Sequence, residues 1–336
     1  MSRLSLTEII RVGRKVDPVI LRALSHDSAK EFRPSLYYHF QVGGKRMRAA
    51  MVMLCCAASG GRIQNALNPA AAVEMVHNYS LVMDDMIDRG EIRRGKPTVR
   101  REFGDSTSLL IAMFYREVLD DLIQECPRRA VIRKIAVTAM KEIIDGERLD
   151  LQFEQAGRDD PFLTAHRIRK PSFQLYLEMI GKKTASLFQA AAEIGAHSAQ
   201  TGPRIVQALG SFGWKVGLAF QVMDDVLDIC GEGTGKQEAK DVVEHKLGNA
   251  AILIAMKYLH EKDKAELQGI LTSPRVSGRQ AAKAKQLVMK TPAELACKQI
   301  ASEYLQEAKE HLTVLGRSRY AVTLSDFGDR VIKRAF

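Results

Sequence analysis

The chain has 336 residues, 46% of them hydrophobic and 27% charged, enough for a sizeable core in one large domain or two. The longest uncharged apolar run, Ala49 to Ala58, is about half of the ~20 residues that a membrane span needs, so integral membrane contact is not expected. The net charge of +10 is spread along the chain without a nucleic-acid motif, which points to an anionic small substrate and away from nucleic acid.

Only 10 prolines and 6% aromatics, with abundant Ala, Leu, Met, Lys and Glu, favour helices over strands. Thr7 to Leu24 has helical apolar spacing, interrupted at Asp17-Pro18. Gly43-Gly44 precedes a helix from about Arg46 to Ala58, which Gly60-Gly61 stops. Pro69 opens a long helix that reaches Asp84, and Gly90 to Pro97 reads as a basic loop. Helices are predicted near 106–125 and 130–155, then a polar break at Pro161 to Pro171. Further helices are predicted at about 173–197, 203–229, 248–272, 276–290, 293–314 and 321–334, with a break at Gly231 to Gly235. Neither a strand nor an interdomain linker is evident, so the expectation is one all-α helical bundle over residues 1–336.

Two acidic clusters carry the chemistry. Asp84-Asp85-Met86-Ile87-Asp88 and Asp224-Asp225-Val226-Leu227-Asp228 both read D-D-x-x-D in apolar surroundings. Residues four apart share a helix face, so each cluster aims two carboxylates in one direction. Like charges so placed need a counter-charge, and Mg2+ held jointly by carboxylates and substrate phosphates supplies one. Arg93 and Arg94 follow the first cluster, and Lys236, Lys240 and Lys246 follow the second. Arginine forks match phosphate oxygens bidentately, while lysines act as point charges. Gly43-Gly44-Lys45-Arg46-Met47-Arg48 offers glycines for close backbone approach and three cations near a helix start. Alone, one Asp cluster reads equally well as a solvated acidic turn, any one of the lysines reads better as ordinary surface, and the Gly-Gly basic segment is a weak signal; their conjunction reads otherwise.

Four stretches together resemble the trans-isoprenyl diphosphate synthases, the all-helical prenyltransferases. They are GGKRMR (43–48), HNYSLVMDDMIDRGEIRRGKPTVR (77–100), KKTASLF (182–188) and GLAFQVMDDVLDICGEGTGKQEAKDVVEHK (217–246). The resemblance implies a helical bundle of the isoprenoid synthase type with a central active-site cavity. It implies Mg2+, three ions with substrate bound, on Asp84, Asp85, Asp88 and Asp224, with Asp225 and Asp228 in support. Arg93, Lys183, Lys236 and Lys246 would contact an allylic diphosphate. Lys45, Arg48, His77 and Arg94 would hold isopentenyl diphosphate, and Thr184 and Gln221 would lie near the reacting carbons. His77 is seven residues before Asp84, two helical turns away and on the same side.

Tyr79, with the small Ser80 beside it, matches the family's chain-length floor and implies a short product, geranylgeranyl diphosphate; farnesyl or C25 and longer products are the alternatives. A homodimer is the family expectation. The pattern is broken by Met83 for a usual His, Ala112-Met113 for a Gly-Asp pair, Glu147 for the Gln of a Gly-Gln pair and Ala49 for a Pro. Two other classes compete: a non-catalytic modulatory subunit, against which both clusters are complete, and a terpene cyclase, which would not need Lys45, Arg48 and His77. Cys55, Cys56, Cys126, Cys230 and Cys297 show no C-x-x-C spacing. Together with the lack of a secretory signal, this implies a reduced, cytoplasmic setting.

Overall fold

Helix Leu67–Ile87 organises the first half of the chain, and its sequence explains why. Pro69, three successive alanines (Ala70, Ala71, Ala72), Val73, Met75, Val76, Asn78 and Val82 are all buried, so most of the circumference is covered. A helix apolar nearly all round belongs in a core. It packs on helices Asp105–Gln124, Met47–Ala58 and Ser186–Ser198. The computed structural model describes residues 3–231 and 239–332.

The chain divides into two compact units, 1–141 with 186–214 and 308–330, and 142–185 with 215–307 and 331–336. In the first unit, Ser5 and Glu8 form a reciprocal capping box at the start of helix Leu6–Gly13. The interruption expected at Asp17-Pro18 is a 3-10 turn, Arg14–Val16, leading into helix Asp17–Ser25. Helix Arg33–Gln41 was not foreseen; its apolar residues lack a clean period.

Two further expectations are corrected. The basic segment after the first Asp cluster contains a small antiparallel ribbon, Ile92–Arg93 paired with Lys96–Pro97. Arg94 and Gly95, at φ 54° and 73°, form its turn. Predicted helix 248–272 is two helices, Ala250–Tyr258 and Glu261–Leu271.

The second unit holds Phe173–Ile180, a π-helical turn at Gly181–Ala185, most of helix Pro203–Cys230, and Gly278–Met289. The polar break at 161–171 includes a short helix, Pro161–Ala165. Asn249 caps helix Ala250–Tyr258 by accepting from the amides of Ala251 (2.9 Å) and Ile252 (3.2 Å). The expected break at Gly231 to Gly235 lies largely outside the described residues. Among the described residues all five cysteines are free thiols, and no helix is long and apolar enough to cross a membrane.

Candidate active site

In the first unit the acidic cluster ends helix Leu67–Ile87, with Asp88 as its C-cap residue. Asp85 is 4% exposed, whereas Asp84 and Asp88 are half-buried on the shared face. Arg93 reaches back from the ribbon and donates to both Asp85 oxygens, Nε at 3.0 and 2.8 Å and Nη2 at 2.8 Å. The fork geometry fixes the ribbon against the helix end. Thr98 strengthens that closure by donating to the Gly90 carbonyl at 2.7 Å while capping helix Val99–Phe103.

The Gly43–Arg48 segment supplies the neighbouring cations. Gly43 and Gly44 lie at φ 115° and 131°, a region that side-chain-bearing residues rarely enter. Arg46 turns inward and is 4% exposed. Its guanidinium donates to Asp17 (2.7 Å) and to the carbonyls of Phe40 (3.1 Å) and Gly43 (3.2 Å). Arg94 also donates to the Gly43 carbonyl. Lys45 is exposed at the loop tip, while Arg48 stacks over the Phe188 ring at 4.6 Å.

His77 places Nε2 3.2 Å from Arg48 Nη1. Burial, then Arg48, Arg94, His39 and Arg93, holds its pKa well below the usual imidazole range. His39 is pushed down to about 3 by burial, then by Arg94, Arg93 and Arg46. Both imidazoles are thus held neutral among guanidiniums whose charges Asp17, Glu74 and Asp85 partly offset. Tyr79 and Ser80 are half-buried on the same helix, and Ser80 donates to the His77 carbonyl at 2.9 Å.

The second unit repeats the division of labour. Asp225 is buried, while Asp224 and Asp228 are half-buried. One Asp225 oxygen accepts from the Tyr176 hydroxyl (2.8 Å) and the Ala250 amide (2.9 Å), the other from Gln221 (2.9 Å). Gln221 in turn accepts from the Thr184 hydroxyl at 2.7 Å. Asp228 accepts from the amides of Lys240 (3.1 Å) and Asp241 (3.0 Å), tying the following short helix to the cluster. Burial, then Asp241, raises Asp225 well above the ordinary carboxylate range and Asp228 to about 8.

Lys183 rises from the π-helical turn and contacts Asp150 at 2.6 Å and Glu147 at 2.5 Å. Lys246 contacts the same Asp150 oxygen at 3.1 Å. Predicted Lys236 lies outside the described residues. Among the described residues no three His, Cys, Asp or Glu side chains form a ready metal cage. The donor set nonetheless fits Mg2+, which keeps several waters and takes one or two carboxylates with substrate phosphates.

Sequence reasoning missed Tyr176, Asn249, Asp150, His39 and the inward role of Arg46. Asn249 carried a signal, an N-cap residue before an apolar run. Asp150 and Tyr176 carried none, because their partners are distant in sequence.

The profile of the polyprenyl synthetase family matches residues 29–289. The chain is 30% identical to the geranylgeranyl diphosphate synthase of Methanosarcina mazei, covering 98% of each chain. Among solved structures, a geranylgeranyl pyrophosphate synthetase from Pyrococcus horikoshii superposes with a TM-score of 0.85 at 28% identity, covering 98% of this chain and 99% of that one. A Caulobacter crescentus polyprenyl synthase, solved with calcium and isoprenyl diphosphate, gives 0.86 at 27% identity over the whole of both chains. The chain therefore belongs to the polyprenyl synthetase family and is a prenyltransferase with the all-α fold of that family.

Proposed function

We propose that this prenyltransferase is a Mg2+-dependent short-chain synthase that condenses isopentenyl diphosphate with an allylic diphosphate, head to tail and trans, to geranylgeranyl diphosphate. The observation that carries the reading is the shared design of the two clusters. Asp85 and Asp225 are buried and hydrogen-bonded, leaving Asp84, Asp88 and Asp224 half-buried at the cluster surfaces. The full-length likeness to geranylgeranyl diphosphate synthases supports the product assignment.

In this reading Lys45, Arg48 and Arg94, with neutral His77 as a hydrogen-bonding partner, bind isopentenyl diphosphate. Arg93, Lys183, Lys246 and Lys236 bind the allylic diphosphate. Asp84, Asp85, Asp88 and Asp224, with Asp225 and Asp228 in support, would hold Mg2+, which would supply positive charge against the departing diphosphate. Gln221 and Thr184, linked at 2.7 Å, flank the reacting carbons and orient them. Apolar side chains around the allylic carbocation keep water from it. The isopentenyl double bond attacks that cation, and the product cation loses a proton to the released diphosphate.

The two compact units act as one synthase domain, since the family match runs through segments of both. The protein works in the cytoplasm as a homodimer. Helix Asp105–Gln124 supplies an apolar face for self-association, with Leu109, Leu110 and Met113 exposed by 45%, 56% and 57%. The reading is tested by incubating purified protein with Mg2+, labelled isopentenyl diphosphate and C5, C10 or C15 allylic primers, then resolving the products. A C20 diphosphate as the longest product supports it. A C15 limit, products of C25 and above, or hydrocarbon released without isopentenyl diphosphate contradicts it.

A further inference from the structure

The second unit contains a line of alternating charges that runs through both described lysines of the allylic assignment. Glu147 Oε2 is 2.5 Å from Lys183 Nζ, which is 2.6 Å from Asp150 Oδ2. That same Asp150 oxygen is 3.1 Å from Lys246 Nζ. Lys246 lies 3.0 Å from Glu244, and the other Glu244 oxygen lies 2.9 Å from Lys240. Carboxylates and ammoniums thus alternate one for one. The side chains of Glu147, Asp150 and Lys246 are only 9%, 8% and 7% exposed, so water screens these charges weakly.

The contact at Glu147 is built into the backbone. Gly146 lies so close to the π-helical turn that a Cβ placed on it would stand 2.3 Å from the Lys183 amide nitrogen. The neighbouring side chain, Glu147, is thereby held beside the Lys183 ammonium. A glutamine, which the family resemblance leads one to expect here, would occupy the same volume without the charge.

We propose that Glu147 sets the affinity for the allylic diphosphate by competing with it for the Lys183 ammonium. The inference rests on the assignment of Lys183 to that diphosphate. An incoming diphosphate has to displace or share the carboxylate, and each carboxylate left in place repels it. Among the three carboxylates, Glu147 is the one best placed for this role. Asp150 holds both lysines, so its removal would also release them from position. The Glu244 charge is divided between Lys246 and Lys240. Exchanging Glu147 for an amide leaves Asp150 to position Lys183 and removes one negative charge that the ligand would otherwise meet.

The test is Glu147→Gln in the full-length protein, an isosteric exchange, with Michaelis constants measured separately for the two substrates. The expected result is a KM for the allylic primer lowered by roughly three- to tenfold, shrinking as KCl is added, with the KM for isopentenyl diphosphate unchanged. The same exchange in a Lys183→Ala background is expected to give no such gain. An unchanged or raised allylic KM in a folded, elongating Glu147→Gln variant overturns the inference. So does a gain that persists without Lys183. Failure of the underlying synthase reading looks different, because the wild-type protein would then elongate no primer.

Discussion

Arg93 grips Asp85 through three donor–acceptor contacts between 2.8 and 3.0 Å and ties the ribbon to the end of the helix that carries the first cluster. Removing one partner of a buried pair strands the other's charge, at a cost of about 2 kcal/mol when the survivor keeps some access to water. Asp85→Asn is therefore expected to lower the unfolding free energy by about that amount. Chemical denaturation checks it, and an unchanged midpoint would show that the pair does not anchor the ribbon.

His39 makes acid stability measurable. Its pKa in the fold is about 3, against 6.5 for an ordinary imidazole, because burial and then Arg94, Arg93 and Arg46 oppose its charge. A depressed pKa means that below pH 6.5 the unfolded chain binds the proton that the fold refuses. The stabilising effect is fully present above 6.5 and is lost as pH falls from 6.5 toward 3. Comparing the pH dependence of unfolding for wild type and His39→Asn should show a shallower acid decline in the variant. Parallel curves would refute the assignment.

Tyr79 lies five residues before Asp84 on helix Leu67–Ile87, about one and a half turns toward the helix start, the direction in which the proposed chain would grow. Tyr79→Ala should lengthen the principal product by at least one C5 unit, read by chromatography of the dephosphorylated prenols. Identical products would place the floor elsewhere.

The helical plan was legible wherever one residue type has one strong local effect. Pro69 marks a helix start, Asp17-Pro18 marks an interruption and Gly43-Gly44 marks a turn. Aspartates four apart on a helix stated a chemistry as soon as their cationic neighbours were counted. The rest depended on contacts between residues far apart in sequence. Tyr176 meets Asp225 across 49 positions, and Lys183 meets Asp150 across 33. The π-helical turn that aims Lys183 has no composition of its own, since GKKTA would also sit in a regular helix. Arg46 carried a misleading signal. Among three cations beside two glycines it looked like a ligand, but a left-handed backbone at φ 51° turns it into the core.

The central claim is that carboxylates of both clusters drive diphosphate departure by holding divalent cations. Its most direct measurement is Mg2+-dependent turnover of Asp84→Ala and Asp224→Ala beside wild type, with helicity followed by circular dichroism. The account predicts that chelation silences the wild type, and that each variant loses at least about a hundredfold in kcat while remaining fully helical. Near-normal turnover by either folded variant, or full wild-type turnover without divalent ions, would contradict it.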